Sequence, residues 1–306
     1  MIIPGTRQTS LLVVAVLSVA LLPACGSHGL RPSPVQTPTP SGQPTFNHVF
    51  LVVEENHSYS DVIGSSSMPY LNNLASQYGL ATQYFADGHP SMPNYLMLTT
   101  GLTESFDDNF SGTINDDNVV RELVKAEKTW KAYEESIPSA GYLGPDASPY
   151  VRRHDPFTYL SDVQNDPSQA ANIVPFSQFA TDLANNTLPQ YSFIEPNVNN
   201  DAHDGTLAAA DAWLQSNIAP LIASPIFQSS GLLIITFDES EDTDIDHGGG
   251  HVATVIVSSK SKANFQSQTE YQHQSTLRLV LAASGVNSYP GMAAAAPDMT
   301  EFFNGN

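Results

Sequence analysis

The stretch GLLIITFDE, residues 231–239, decides the fold. It is a run of apolar and β-branched side chains that ends in two acids, Asp238 and Glu239. Such a run is typical of a strand in the middle of a sheet that is covered on both faces. Three further stretches have the same form: HVFLVVEE (48–55), YSFIEPN (191–197) and HVATVIVSS (251–259).

Helical patterns lie between these predicted strands, with apolar residues three to four positions apart. They are MPYLNNLASQYG (68–79), with Gly79 as its stop, NVVRELVKAEKTWKAYEES (118–136), GTLAAADAWLQSNIAPLIAS (205–224) and STLRLVLAASG (275–285). Strands that alternate with helices predict an α/β fold. Its central, mostly parallel sheet is flanked by helices on both faces.

Polar residues follow the predicted strands where the strands end. Because the carboxyl ends of parallel strands share one edge of the sheet, we expect these residues to lie together. They are Glu54, Glu55 and Asn56, the segment 197–204, and Asp238 and Glu239, while His247 and His251 precede a strand. Together they predict a site of oxygen ligands and imidazoles. Each acidic pair alone is equally typical of a solvated strand end or an acidic loop.

The first 24 residues have the pattern of a signal peptide, with Arg7 as their only charge and a short apolar run. The run ends in LPAC (22–25), which resembles the lipobox of a lipoprotein signal peptide. Cys25, the only cysteine, is therefore expected to be lipidated; the alternative is a stray thiol. Residues 25–45 predict an extended Pro/Ser/Thr-rich tether. We expect an exported lipoprotein, anchored in a membrane on the cell-surface or periplasmic side, with residues 46–306 as its folded domain.

The charge of the chain limits its partners. The formal net charge is -20, and there are only 11 Lys and Arg residues. This balance argues against binding to nucleic acid, which requires a basic surface. An anionic substrate has to meet local positive charge, and a bound metal cation would supply it.

Ser91 stands in the stretch DGHPSMPNYLMLTTG, residues 87–101. If Ser91 opens the helix PNYLMLTTG, its hydroxyl lies where the helix amides and dipole favour an anion, which would activate it as a nucleophile. Pro93 suits an early helical position because no N–H is needed there. The alternative role for Ser91 is a helix N-cap.

Motifs in residues 46–304, in the expected order, resemble the bacterial phosphoesterase family. That family contains acid phosphatases and phospholipases C and belongs to the alkaline phosphatase superfamily. The motifs are EENHS (54–58), HPSMPNYLMLTTG (89–101), DNVVRELVKAEKTWKAYEESIP (117–138), YVRRHDPFTYL (150–160), FDES (237–240), GHVATVIVS (250–258) and YPGMAAAAPDMTEFF (289–303). The resemblance implies an alkaline-phosphatase-like fold, with residues 46–306 as the phosphoesterase catalytic domain.

The resemblance also implies a metal site around a serine nucleophile. Its ligands would be Glu55, Asn56, Ser91, Asp238 and Glu239. Oxygen ligands of this kind suit Mg, Mn, Ca or Fe better than Zn. Glu239 departs from the superfamily, which usually has a histidine beside the aspartate.

Histidines are the next residues that the resemblance implicates. His203, His251 and His89 are expected to contact phosphate or to protonate the leaving group. A protonated imidazole supplies positive charge that the scarce Lys and Arg do not. Further candidates for a second metal or for phosphate contacts are Asn94, His154, Asp201 and Asp204. Two roles stay open for this region: a second ion or direct action on phosphate.

One acidic loop resembles the start of a calcium site. DTDIDHG (242–248) has aspartates at alternating positions, but Ala253 stands where the final glutamate is required. It is therefore interpreted as an acidic loop near the site.

The sequence predicts a metal-dependent hydrolase of phosphate esters that forms a phosphoseryl intermediate at Ser91. Phosphate monoesters, as for an acid phosphatase, are the leading substrates, and the phospholipase C type of phosphodiesterase is the alternative. A rival from another class is a non-catalytic surface binding protein on the same scaffold. A sulfatase is disfavoured because Ser91-Met92-Pro93-Asn94-Tyr95 lacks the arginine of the sulfatase motif.

Overall fold

The centre of the molecule is an eight-stranded sheet. The computed structural model describes residues 42–304, together with Met1 and Gly5. Cys25, the predicted signal peptide and most of the predicted tether therefore lie outside the described residues. The strands are β1 (His48–Glu54), β2 (Gly79–Ala81), β3 (Tyr84–Phe85), β4 (Trp130–Glu134), β5 (Ile173–Pro175), β6 (Tyr191–Glu195), β7 (Gly231–Phe237), β8 (Thr254–Val257), β9 (Phe265–Ser267) and β10 (Tyr271–Gln272).

The sheet order is β5-β4-β6-β1-β7-β8-β2-β9, and β10 pairs with β3 in a separate two-stranded sheet. Strand β8 runs antiparallel to both of its neighbours, while the other pairings are parallel. The stretch GLLIITFDE contains β7, which lies next to the central β1. In the centre, Leu51 lies opposite Phe193 and Ile234, and all three side chains are fully buried. Each such side chain stabilises the fold by about 1.5–3 kcal/mol through burial.

The helices are α1 (Tyr59–Val62), α2 (Pro69–Gln77), α3 (Met92–Thr100), α4 (Val119–Lys125), α5 (Ser161–Gln164), α6 (Pro167–Ala170), α7 (Ser177–Asn185), α8 (Leu207–Ala223), α9 (Pro225–Ser230) and α10 (His273–Ala283). Tyr95 of α3 contacts Phe193, which lies on the Leu51 face of the sheet. Phe179 of α7 contacts Phe50, whose side chain points to the opposite face. Helices thus cover both faces, and the predicted α/β fold is confirmed.

The segment 118–136 was predicted as one helix, and this prediction is wrong in its second half. Helix α4 ends at Lys125, because Glu127 is left-handed with φ 57° and the Lys128 amide donates to the Leu123 carbonyl. The chain then forms β4, in which Trp130 is buried between the sheet neighbours β5 and β6. Burial in the sheet overrides the helical spacing of these residues.

Gly79 was expected to stop helix α2, and this is also wrong. The helix ends two residues earlier, at Gln77 with Tyr78 as its cap, and Gly79 begins strand β2. A Cβ atom at position 79 would lie 2.5 Å from the ring of Phe302. The glycine is therefore required for close packing rather than for a turn.

Within residues 42–304, the helices lack either the length or the apolar composition that crossing a bilayer demands.

Candidate active site

The carboxyl ends of β1 and β7 bring the predicted acidic residues together. The Asp238 amide donates to the Glu54 carbonyl at 2.9 Å, and the Glu55 amide donates to the Asp201 carbonyl at 2.8 Å. Because β8 is antiparallel, its first residues lie at this same edge, which places His251 there as well. The topology therefore gathers the polar residues of three separate segments at one edge of the sheet.

Ser91 lies at the start of α3 with its hydroxyl between two carboxylates. Its Oγ atom is 3.2 Å from Glu55 Oε2 and 3.1 Å from Glu239 Oε1. The residue is 2% exposed, has helical dihedral angles and makes no side-chain cap bond to α3. Instead, the amide of Met92 donates to Asp108 Oδ1 at 3.2 Å. The serine hydroxyl is thus directed at the acidic cluster and not at its own helix.

Asn56 and Asp238 complete this cluster. The Asn56 amide N–H donates to Asp238 Oδ1 at 3.2 Å. The side-chain oxygen of Asn56 faces the oxygens of Asp238 and Glu55; only the reversed amide would give hydrogen bonds, of 3.1 Å and 2.6 Å. Asp238 Oδ2 is buried and has no hydrogen-bond partner among the described residues. Oxygens that face one another in this way fit a cation placed between them.

The electrostatics of the cluster agree with a cation. Burial raises the pKa of Glu55 and of Asp238 well above the usual range, and neighbouring carboxylates raise it further. Burial also raises the pKa of Glu239 to about 8. Because buried carboxylates repel one another and are shielded from water, such a cluster requires either protons or a bound cation. The donor set of carboxylate, amide and hydroxyl oxygens fits a hard divalent ion.

His89 contacts this cluster through Glu239. Its Nδ1 lies 2.5 Å from Glu239 Oε2, and its Nε2 lies 2.8 Å from the Asp244 carbonyl oxygen. Both ring nitrogens are therefore engaged with the protein. His89 thus positions Glu239, and its contact with phosphate stays a prediction.

Asn94 shapes the loop that precedes the serine. Its Oδ1 accepts hydrogen bonds from the amides of Asp87 and Gly88, and its Nδ2 donates to the Gly88 carbonyl. The side chain is fully buried. Asn94 therefore fixes the loop before Ser91, and its contact with phosphate or a second metal stays a prediction, since one N–H of its Nδ2 has no assigned partner among the described residues.

A second buried cluster lies beside the first one. His154 Nε2 is 3.2 Å from Glu55 Oε1, and His154 Nδ1 is 3.6 Å from Asp201 Oδ2. The ring stacks on Tyr95 with centroids 5.0 Å apart. The hydroxyl of Tyr95 contacts Glu55 and lies 2.8 Å from Glu195 Oε1. One atom each of His154, Glu195 and Asp201 lie within 4.8 Å of one another, as do atoms of Glu55, His154 and His203.

His203 stands at the more open side of these clusters. Its Nδ1 lies 2.8 Å from Asp204 Oδ1, and its backbone amide donates to Asp201 Oδ1 at 2.7 Å. Its Nε2 accepts a hydrogen bond from Arg153 Nη2 at 3.2 Å. Asp204 therefore holds the imidazole, Asp201 holds the backbone of His203, and Nε2 faces the guanidinium of Arg153.

Arg153 is a site residue that the sequence analysis missed. Besides His203, it faces Asp108, with Nε 3.7 Å from Oδ2. The Nε atom is buried without a hydrogen-bond partner among the described residues. It supplies the local positive charge that the acidic chain was expected to need. The motif RRHDPF contained the signal, because it places two arginines directly before His154.

His251 has other partners. Its Nε2 lies 3.0 Å from the Thr82 carbonyl oxygen, its amide donates to Asp244 Oδ2, and its ring stacks on Tyr59 at 4.3 Å. Burial lowers the pKa of this imidazole. These contacts make His251 a part of the wall of the site and do not support the predicted role as an acid.

The loop 242–248 resembles a calcium loop only in sequence. Asp244 accepts hydrogen bonds from the amides of Asp246 and His251, and its carbonyl oxygen lies beside His89. The aspartate therefore organises the loop next to the site. His247 stacks on Phe85 and pairs with Glu270 at 3.1 Å.

Solved structures identify the fold. A Vibrio parahaemolyticus protein in the alkaline phosphatase superfamily matches with a TM-score of 0.57 and 13% identity, over 89% of this chain and 73% of that chain. The lipoteichoic acid synthase LtaP from Listeria monocytogenes matches with a TM-score of 0.59 and 13% identity, over 86% and 78%. At this identity the likeness shows the fold, which is that of the alkaline phosphatase superfamily.

The family follows from sequence. A sequence model of the phosphoesterase family matches residues 65–287, and the chain belongs to this family. Phosphatidylinositol-3-phosphatase of Mycobacterium tuberculosis is 33% identical over 307 residues, 98% of this chain and 96% of that protein. The acid phosphatase of Aspergillus fumigatus is 36% identical over 203 residues, 63% of this chain and 45% of that protein. The chain is an enzyme that hydrolyses phosphate esters, as the sequence predicted.

Proposed function

We propose that the protein is a metal-dependent phosphomonoesterase that uses Ser91 as its nucleophile. The observation that carries this proposal is the position of Ser91 Oγ, within 3.2 Å of both Glu55 and Glu239. One divalent ion, such as Mg, Mn, Ca or Fe, would be held by Glu55, Asn56, Ser91, Asp238 and Glu239. When bound there, such an ion supplies charge neutralisation and favours the alkoxide form of the serine.

The residues of the chain divide the reaction between them. Ser91 Oγ attacks phosphorus, its proton passes to a neighbouring carboxylate oxygen such as Glu239 Oε1, and the bond to the leaving oxygen breaks. Arg153 Nη2 binds oxygens of the phosphoryl group. A water molecule then attacks the phosphoserine, phosphate leaves, and the serine oxygen regains a proton.

His203 is the proposed general acid for the leaving oxygen. Its Nδ1 is fixed by Asp204, so that Nε2 faces the open side of the site beside Arg153. Nε2 accepts from Arg153 in this arrangement; once Arg153 binds the phosphoryl group, Nε2 is free to carry the proton that passes to the leaving oxygen. His251 is not proposed for this role, because its Nε2 is bound by the Thr82 carbonyl group.

Monoesters are the proposed substrates because the two relatives above are named as phosphatases, one of them for phosphatidylinositol 3-phosphate. We further propose that Cys25 is lipidated and holds the enzyme at the outer side of a membrane. This proposal stands on the LPAC motif alone.

The test is phosphate release from a panel of monoesters and diesters, from acid to alkaline pH, with and without chelator. The protein is compared with Ser91→Ala and with Ser76→Ala, an exposed serine whose Oγ donates only to its own helix. We expect monoester turnover that chelator abolishes, that metal restores and that Ser91→Ala lacks. Turnover of diesters alone would show a phosphodiesterase of the phospholipase C type instead. No turnover with any metal would favour the binding-protein rival.

A further inference from the structure

A cleft borders the site on the side of His203. We propose that it binds the leaving group of the substrate, and that this group is a single neutral ring bearing several hydroxyls, such as a sugar or a cyclitol. The cleft has a volume of about 250 Å³ and is lined in part by Asp108, Asn109, Phe110, Asp146, Arg152 and Tyr159. The proposal rests on the phosphomonoesterase function proposed above.

Asp108 is the wall that the cleft shares with the site. Its Oδ1 accepts the amide of Met92, the residue after the nucleophile, and its Oδ2 faces Arg153. Arg153 in turn contacts His203 Nε2 at 3.2 Å. A general acid has to lie beside the leaving oxygen, because it delivers a proton to that atom. The leaving group therefore extends from the His203 side of the site, and the contact between Arg153 and Asp108 links that side to the cleft.

The lining combines an aromatic floor with donors and acceptors of hydrogen bonds. The Arg152 guanidinium lies 4.4 Å over the Tyr159 ring, and the ring of Phe110 is 5.6 Å from that of Tyr159. Arg152 donates through Nε and Nη2 to Thr158, and its Nη1 has no hydrogen-bond partner within residues 42–304. Asp146 Oδ1 accepts the Arg152 amide at 2.8 Å. A hydroxyl both donates and accepts, so a polyol can use Nη1 and the carboxylates together.

The charge and size of the cleft select among ligands. The carboxylates Asp108 and Asp146 are balanced by Arg152 in the lining and by Arg153 beside Asp108, so the cleft has no excess of positive charge to attract a second phosphate. Two carboxylates and a guanidinium also disfavour an acyl chain, which cannot satisfy their hydrogen bonds. A volume of about 250 Å³ is just below the range for drug-sized ligands and suits one ring.

The experiment compares kcat/KM for myo-inositol monophosphate and glucose 6-phosphate with that for p-nitrophenyl phosphate. The variants are Arg152→Met and Asn109→Ala. Arg121→Met is the control, because Arg121 lies on helix α4, pairs with Asp162 and does not line the cleft. We expect Arg152→Met to lower kcat/KM for the polyol phosphates by about tenfold or more, and that for p-nitrophenyl phosphate by less than about threefold. An equal loss for all three substrates would overturn the proposal.

A binding measurement separates this proposal from the catalytic one. Free myo-inositol and free glucose are titrated into the protein and its Arg152→Met variant, with protein NMR signals as the readout. Weak, saturable binding that the variant loses supports the subsite, even if no phosphate ester is hydrolysed. Hydrolysis without preference for polyol esters, and without binding of either polyol, would overturn the subsite and leave the phosphatase function standing. Asn109→Ala repeats the test with a substitution at an exposed residue, which guards against misfolding of the arginine variant.

Discussion

His89 Nδ1 lies 2.5 Å from Glu239 Oε2, while the other oxygen of the same carboxylate lies 3.1 Å from Ser91 Oγ. The histidine thus fixes the carboxylate that stands beside the nucleophile. Groups that hold a metal ligand in this way commonly contribute 10–100-fold to metal affinity. We predict that His89→Ala weakens Mn²⁺ binding by about this factor in calorimetric titration, with a smaller loss for His89→Gln, which keeps a donor.

The control for this prediction is His48→Ala, because His48 lies at the opposite end of β1 and contacts the Pro189 carbonyl. It should bind Mn²⁺ like the unmodified protein. Unchanged affinity in His89→Ala would show that Glu239 needs no support or is not a ligand.

Tyr95 is predicted to position Glu55. Its hydroxyl contacts both Glu55 and Glu195 but has only one hydrogen to donate. One of the two carboxyl groups therefore has to carry a proton of its own and donate it to the tyrosine oxygen. Burial raises the pKa of Glu195 well above its usual range, which favours Glu195 as the holder of that proton. Tyr95→Phe should lower metal affinity and kcat by about tenfold or more. Glu195→Gln should retain most of both, because an amide donates as the protonated acid does.

The measurements are Mn²⁺ titration and steady-state kinetics on both variants. If Glu195→Gln loses as much as Tyr95→Phe, the proton is not on Glu195. If Tyr95→Phe loses nothing, the hydroxyl has no positioning role.

The stability of the protein should depend on pH through Asp87. Burial raises the pKa of Asp87 from 3.8 to about 7 in the folded protein. Because the folded pKa is the higher one, the protonated carboxyl stabilises the fold fully below about pH 4. This contribution is lost as the pH rises through about 7. Asp87→Asn should abolish this dependence, since the amide stays neutral and still accepts the His273 amide.

The check is the Tm of both proteins at about pH 4.5 and about pH 7.5, with chelator present in every sample. The Tm of Asp87→Asn relative to the unmodified protein should rise by a few degrees between the two pH values. If the difference in Tm between the two proteins is the same at both pH values, Asp87 does not have the raised pKa in the folded protein.

Asp211 is predicted to stabilise the fold without affecting catalysis. From helix α8 its carboxylate accepts the amides of Tyr70 and Leu71 at 2.9 Å and 2.8 Å, at the start of helix α2. The N-cap residue of that helix, Met68, makes no side-chain cap bond. Asp211→Ala should therefore lower the free energy of unfolding by about 1–2 kcal/mol, as loss of a helix cap does. Denaturant unfolding measures this loss, which should be smaller in Asp211→Asn. A changed kcat in either variant would contradict the prediction that Asp211 acts on stability alone.

The sequence predicted the parts of the fold that depend on local patterns. The runs 48–55 and 231–239 form β1 and β7 because apolar stretches of this length are buried in the sheet centre. Helix α3 begins beside Ser91 as expected, and Gly101 ends it with φ 72°. Strand β4 was missed because its residues also have helical spacing, and only the neighbouring strands decide between the two.

The same distinction applies to the site. Glu55 and Ser91 stand in recognisable motifs, and the structure brings them within 3.2 Å. Tyr95 and Glu195 were not predicted, because each lies inside an element whose local pattern indicates only packing, whereas Arg153 stands in the motif RRHDPF and was overlooked. Their contacts join residues up to 100 positions apart, and such contacts follow from the tertiary arrangement alone.

The central claim is that Ser91 forms a covalent phosphoserine. The most direct measurement is acid quenching during turnover of p-nitrophenyl phosphate, followed by mass spectrometry of the peptide that contains Ser91. We expect one phosphoryl group on Ser91 in the unmodified protein and none in Ser91→Ala, which should not turn over. Steady turnover by Ser91→Ala, with no phosphorylated peptide in the unmodified protein, would contradict it.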